Sequence, residues 1–320
     1  MTFPLFQRPG TIVLLDDDRD YLEMLALVLP RQWHARLFLH PHDCIRKLRE
    51  EPPFWEADAW HQQQMVDQWR AGRALVPQIL EYWSRSTERY ALTRVCVVDY
   101  SMPEMDGLQV LSQLGEWAGA RVLLTGQADE QVAVKAFNGG LIEQFIAKQM
   151  PDVTRHLVQV LQRLMGSAHA RHAQTWRATL RPEHHALLRD QSVADALADF
   201  TGRRWVEHVC IGDPFGVIGM DAGGAIGWLQ LETPQGLPAL AEVAQQAGVD
   251  AAGLDAIRAG RQLANVELAA TLGQPVQLAS SFTIGVREQL LGAVFDIRTD
   301  GGEAGYTRWL ARQPRRHVEG

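Results

Sequence analysis

The chain has 320 residues, 46% of them hydrophobic, and a net charge of −7. That is room for two domains with sizeable cores, and the acidic balance excludes a global basic field that would recruit nucleic acid. No apolar run is long enough to span a bilayer. The start, Met1–Pro9, lacks a signal-peptide pattern, and Cys44, Cys96 and Cys210 have no metal-ligand spacing; a cytoplasmic protein with no membrane insertion is expected.

The first strand signal is Thr11–Leu15, which ends in Asp16, Asp17 and Asp18. His34–His40 read as a second strand and His42–Glu50 as the helix after it, stopped by Pro52 and Pro53. Phe54–Tyr90 is helical in composition, with Gly72 as a break and Pro77 near the start of a second helix. Trp55, Trp69, Val76 and Trp83 fall seven or fourteen apart in it. A helical hairpin with a Trp-rich seam is expected, and Trp55, Trp69 and Trp83 are candidates for a partner surface, although aromatic stripes at this spacing usually form core.

Arg94–Val98 is apolar and β-branched, so Asp99 stands at the carboxyl end of a buried strand, where a doubly wound sheet places its ligands. Pro103 and Gly107 punctuate the loop that follows. Arg121–Leu124 is a further strand ending in Thr125 and Gly126, and Leu141–Ala147 leads into Lys148. Only Lys47, Lys135 and Lys148 are lysines among 31 basic residues, so a lysine at this place is informative. Carboxylates gathered at one sheet edge repel unless a hard cation joins them, and Mg²⁺ prefers such oxygen ligands. A hydroxyl at Thr125 can donate to a phosphoryl oxygen, and Gly126 leaves room for the group.

Asp16-Asp17, Asp99 with Met102-Pro103 and Asp106-Gly107, Thr125 and Lys148, in that order at successive strand ends, resemble the receiver domain of two-component response regulators. The resemblance implies that Asp99 is the phosphoacceptor for a histidine kinase or phosphotransfer protein. It implies Mg²⁺ held by Asp17, Asp99 and the backbone carbonyl of Ser101, with Asp16 acting through water. It gives Thr125, Gly126 and Lys148 to the phosphoryl group and makes Phe145 the switch aromatic. Two departures stand out. Gln149 follows Lys148 where receivers usually have Pro, which here arrives at Pro151; and 82 positions separate Asp17 from Asp99, which requires an insertion.

After the receiver, Asp152–Leu164 carries a helical stripe, and helical composition continues through Ala168–Leu180 and, after Pro182, Glu183–Phe200. His169, His172, His184 and His185 have no acid or thiol in register and read as a His-rich linker face. Trp205–Ile211, Gly216–Met220 and Ala225–Leu231 are strand candidates, the last two joined by the turn Asp221–Gly224. Helices near 237–247, 250–260 and 263–271 follow, then an antiparallel pair, Val276–Ile284 and Leu290–Arg298. This element order faintly resembles the PAS-like architecture.

The expected fold is therefore an α/β receiver with a doubly wound five-stranded parallel sheet over 1–150, carrying a helical insertion at about 51–92. A helical connector over 151–204 and an α+β output domain over 205–320 follow. The expected function is phosphorelay signalling through a protein partner or a homodimer, with no separate catalytic activity beyond autophosphorylation and autodephosphorylation. Two alternatives are weighed. Residues 240–260 resemble a DNA-binding helix-turn-helix, with Ala244, Gly248, Val249, Leu254 and Ile257 in place, but Asp250 and Asp255 and the 12 acidic against 8 basic residues over 213–320 argue against nucleic acid. A PAS-like domain could instead sense a small ligand.

Overall fold

Five parallel strands, His34–Phe38, Thr11–Leu15, Thr93–Asp99, Ala120–Thr125 and Gln144–Ala147, lie side by side in that order. The central strands are fully buried runs of β-branched and aliphatic residues, as a sheet covered by helices on both faces requires. Helices Arg19–Val28 and Val153–Gly166 share one core with the sheet, and Pro41–Arg49, Gly107–Gln113 and Glu130–Asn138 pack on another. This is the expected doubly wound sheet. It gains a sixth, two-residue strand, Val318–Glu319, which pairs with the outer edge of His34–Phe38. The Arg316 guanidinium just before it donates to the carbonyls of Ala26, Leu29, Pro30 and Trp33, which fixes the tail where the first helix ends.

The second sheet is antiparallel, in the order Phe6–Gln7, Glu207–Gly212, Phe215–Met220, Ile226–Glu232, Leu290–Ile297 and Phe282–Ile284. The expected strand Val276–Ile284 is divided: Leu278–Ser280 pairs with Gln262–Ala264, and Phe282–Ile284 pairs with Leu290–Gly292. Helices Leu237–Gln246 and Ala251–Arg258 are joined through Gly248 at φ +87°, and bury Ala241, Ala244, Leu254 and Ile257 together. The connector helix expected over 183–200 is two helices, Pro182–Arg189 and Gln191–Arg204. Asp190 ends the first and accepts hydrogen bonds from the Ser192 and Val193 amides to start the second.

The computed structural model describes residues 3–126, 130–166, 170–286, 289–298, 305–314, 316, 318 and 319. The chain forms two compact units, and they do not follow the expected boundaries. Residues 9–60, 88–167 and 309–320 make the parallel-sheet unit; residues 1–8, 61–87 and 168–308 make the antiparallel one. The expected receiver 1–150 thus loses its first eight residues and most of its insertion, and gains the helix Val153–Gly166 and the C-terminal tail. The connector 151–204 is not a separate body: from 168 onward it belongs to the antiparallel unit.

The insertion explains the exchange. Pro52–Arg70 and Leu75–Arg85 are helices separated at Gly72, which adopts φ +97°. Trp83, Leu75, Val76 and Ile79 lie in the same core as Trp176, Trp228 and Phe295 of the antiparallel unit. The tryptophans proposed as a partner surface are therefore corrected: Trp83 is 1% exposed, and Trp55 is 4% exposed with the Arg94 guanidinium over its ring. Trp69 is half-buried and donates its indole N–H to Asp213. Burial of a large apolar ring outweighs exposing it for a partner. The histidines are also reassigned. His172 is buried against Phe6 and His184 against Phe215, so neither lies on a linker face; His169 falls outside the described residues.

Inside the antiparallel unit, Arg8 and Glu207 form an ion pair at 2.9 Å with both side chains fully buried. The guanidinium also lies over the rings of Phe6 and Tyr82. Removing one partner strands the other charge, so Arg8→Met should cost about 3–5 kcal/mol in urea unfolding, whereas Arg8→Met with Glu207→Leu should recover most of it. Burial pushes the pKa of His208 down to about 4, against the hydrogen bond that it gives to the Pro4 carbonyl. The unfolded chain takes up that proton near pH 6.5 and the folded chain does not. Stability should therefore fall as pH drops from about 6.5 to about 4, by roughly 3 kcal/mol, and His208→Gln should flatten this part of the profile.

Candidate functional site

The strand register assembles the site. Leu15 stands opposite Val98, so Asp16 and Asp99 leave neighbouring strands side by side. Asp99 stands opposite Leu124 and Thr125 opposite Ala147, which brings Thr125 and Lys148 to the same sheet edge. Asp16, Asp17 and Asp99 each offer an oxygen within 4.8 Å of the others. Lys148 Nζ reaches Asp16 Oδ2 at 2.8 Å and Asp99 Oδ1 at 2.7 Å. The loop carrying Lys148 is fixed by its own amide, which donates to the Thr125 carbonyl at 2.8 Å. The displaced proline therefore does not move the ammonium out of reach.

Backbone amides hold the carboxylates. Asp16 Oδ1 accepts from the Asp18 amide, and Asp99 Oδ2 accepts from the Ser101 amide. Gly107 closes the loop after Asp99: its amide donates to the Tyr100 carbonyl, and a Cβ there would lie 2.3 Å from the Asp99 carbonyl oxygen. Asp106 caps the following helix in a reciprocal pair with Gln109. Phe145 is half-buried on the last strand of the parallel sheet, opposite Leu123 and packed on the same core as Tyr100, Met105 and Leu108. Gly126 is half-buried directly after Thr125.

Three carboxylates against one ammonium leave two negative charges in a largely buried cluster. Burial raises the pKa of Asp16, and the hydrogen bond from Lys148 only partly offsets it. For Lys148, burial works against the charge, yet the hydrogen bonds to Asp16 and Asp99 prevail and its pKa is raised. Thr125 is fully buried, and its hydroxyl has no hydrogen-bond partner among the described residues, which costs free energy unless something arrives to accept it. Tyr21, absent from the sequence reading, lies with Lys148 Nζ 4.5 Å from its ring centroid. Its only signal was a place in the first helical turn, three residues after the cap Asp18.

A Legionella pneumophila response regulator, LqsR, aligns with 98% of this chain and 98% of its own at 23% identity and a TM-score of 0.69. The chain has the fold of that response regulator. The likeness runs through both units and includes the receiver fold. A receiver-domain protein from Clostridium thermocellum aligns with 49% of this chain and 94% of its own, at 14% identity and a TM-score of 0.32. The beryllofluoride-activated DrrB receiver domain aligns with 49% of this chain and 97% of its own, at 16% and 0.32. Scores that low add nothing to the fold assignment. No family model and no curated protein matches the chain. Among the described residues, no helix is long and apolar enough to cross a membrane.

Without Lys148, the Asp16 and Asp99 carboxylates would face each other with no countercharge among the described residues. Lys148→Met should lower stability by roughly 3 kcal/mol at neutral pH. A carboxylate whose folded pKa is raised binds its proton more tightly when folded, so stability returns as pH falls through that value. The deficit of the variant should be larger at pH 8 than at pH 5 in parallel urea titrations.

Proposed function

We propose that the protein is a response regulator whose Asp99 accepts a phosphoryl group from a histidine kinase or phosphotransfer protein. The observation that carries this reading is the pairing of a carboxylate cluster under Lys148 with a buried Thr125 hydroxyl that has no partner among the described residues. An Asp99 oxygen attacks phosphorus, an acyl phosphate forms, and the bond from phosphorus to the donor's nitrogen breaks. Lys148 and the Ser101 amide now hold one Asp99 oxygen each. Lys148 must leave Asp99 Oδ1 as the phosphoryl group arrives and turn to its oxygens. Thr125 donates its hydroxyl proton to another of them. Hydrolysis of the acyl phosphate returns Asp99 to its starting form.

The residues fit a divalent cation. Asp16, Asp17 and Asp99 supply clustered oxygens, and the two surplus negative charges match its charge. Asp17, Asp99 and the Ser101 carbonyl would hold Mg²⁺, with Asp16 joined through water. Bound there, Mg²⁺ would neutralise charge on the phosphoryl oxygens. Phosphorylation would change the surface near Phe145 and the helix Glu130–Asn138, and the signal would pass to a protein partner or to a second copy in the cytoplasm.

Native mass spectrometry with Mg²⁺ and acetyl phosphate tests the reading. A phosphoryl adduct is expected on the wild-type chain, none on Asp99→Asn, and slower formation on Thr125→Ala. An adduct that survives in Asp99→Asn would sink the assignment. If acetyl phosphate gives no adduct, labelled phosphohistidine on a kinase is the decisive donor.

A further inference from the structure

A second set of acids lies in the antiparallel unit. A cavity of about 360 Å³ opens there, within the range of small-molecule sites. Its apolar lining includes Leu231, Leu240, Ala264 and Val266, and its acidic lining is Asp213, Glu232 and Glu267, with Glu183 and Arg181 also present. The strand Ile226–Glu232 delivers Glu232 at its end, and the helix Val266–Leu272 delivers Glu267 in its first turn.

The acids are unequally satisfied. Asp213 accepts from the Trp69 indole at 3.2 Å. Glu232 Oε1 accepts from the Thr233 amide at 2.9 Å, and the absence of a side chain at Gly236 gives that oxygen its room: a Cβ would lie 2.0 Å away. Among the described residues neither Glu232 nor Glu267 has an ion-pair partner, and no hydrogen bond reaches Glu232 Oε2 or the Glu267 carboxylate. Burial raises the pKa of both, and each is raised further by a neighbouring acid, Glu267 for Glu232 and Asp213 for Glu267; Arg181 offsets only part of this for Glu267.

His184 adds an independent sign. It is 8% exposed, lines the same cavity, and stacks on Phe215 with ring centroids 3.9 Å apart. Its Nδ1 accepts from the Arg181 amide at 3.4 Å. Because Nδ1 accepts, Nε2 carries the ring hydrogen, and burial lowers the pKa of the ring. Among the described residues that N–H has no partner. A nearly buried ring donor, a half-buried Glu232 with one free oxygen and an exposed Glu267 line one apolar-walled cavity, a set that suits a ligand with a cation at one end and an acceptor at the other.

We propose that this cavity binds a small organic ammonium compound, its ammonium held between Glu232 and Glu267 and its hydrogen-bond acceptor taking the Nε2–H of His184. The aliphatic part of the ligand covers Leu240 and Val266. The site is independent of phosphoryl chemistry at Asp99, so it stands or falls by its own test.

Leucinamide combines an ammonium, a carbonyl acceptor and an aliphatic tail. Isocaproamide lacks only the amino group, and isocaproate carries the opposite charge. Saturation-transfer NMR and calorimetry on the full chain should show saturable millimolar or tighter binding of leucinamide. Isocaproamide should bind at least about tenfold more weakly, as loss of a charge-assisted hydrogen bond predicts. Glu232→Gln and Glu267→Gln should each weaken leucinamide about tenfold. His184→Phe, which keeps a ring against Phe215, should weaken leucinamide and isocaproamide alike. The proposal is overturned by no saturable leucinamide binding, by equal binding of isocaproamide, by a preference for isocaproate, or by unchanged affinity in a folded Glu232→Gln protein. The ligand comparison on the wild-type chain stays decisive even if a variant fails to fold.

Discussion

The antiparallel unit is organised around one buried charge pair. Arg8 comes from the start of the chain, Glu207 from the middle of its second half, and the guanidinium also rests on Tyr82 of the insertion. Three segments far apart in sequence converge on a single cation. A buried ion pair of this kind contributes little net stability against an apolar replacement, but a mispaired chain would leave a charge in the core at heavy cost. Its value is in selecting one arrangement. The N-terminal strand cannot detach without exposing Glu207 to a dry interior, and the insertion cannot shift without uncovering the guanidinium.

The parallel unit solves the opposite problem. Its cluster concentrates negative charge, with one ammonium for three carboxylates among the described residues. The sheet makes this tolerable: Asp16 and Asp99 stand at the ends of buried, mostly aliphatic strands, and backbone amides hold both in place. The site is thus built with strain that a cation and an incoming anionic group would relieve together, which is the electrostatic condition for a reversible covalent mark.

The meeting of these side chains was legible because Asp16, Asp99, Thr125 and Lys148 stand at or just after strand ends, and strand ends can be found from runs of apolar residues. Asp16, Asp99, Thr125 and Lys148 needed only their local context. The layout of the units was hidden for a physical reason. Trp83 and Val76 have the same periodicity whether they pack on each other or on Trp228 and Phe295, and no local pattern names the partner. Two-residue strands such as Phe6–Gln7 and Val318–Glu319 are too short to show alternation at all. His184 was missed because a histidine that stacks on a phenylalanine thirty-one positions away looks, in sequence, like one more polar residue of a helix. Glu51 is similar: in sequence it is another acid before a proline pair, yet it is buried and accepts from Thr93 and the Trp117 indole.

The placement of the tail carries a further meaning. Residues 309–320 return to the parallel unit, and residues 1–8 and 61–87 are lent to the other. A gene-level exchange that swapped the second half of this protein for another, by one crossover near position 168, would remove an edge strand from the first sheet and orphan two pieces of the second. Such a chain is closed to module shuffling. Its two halves can diverge only together, by substitutions that each must suit, and the route to a new output passes through the cavity walls and exposed faces rather than through a new fusion.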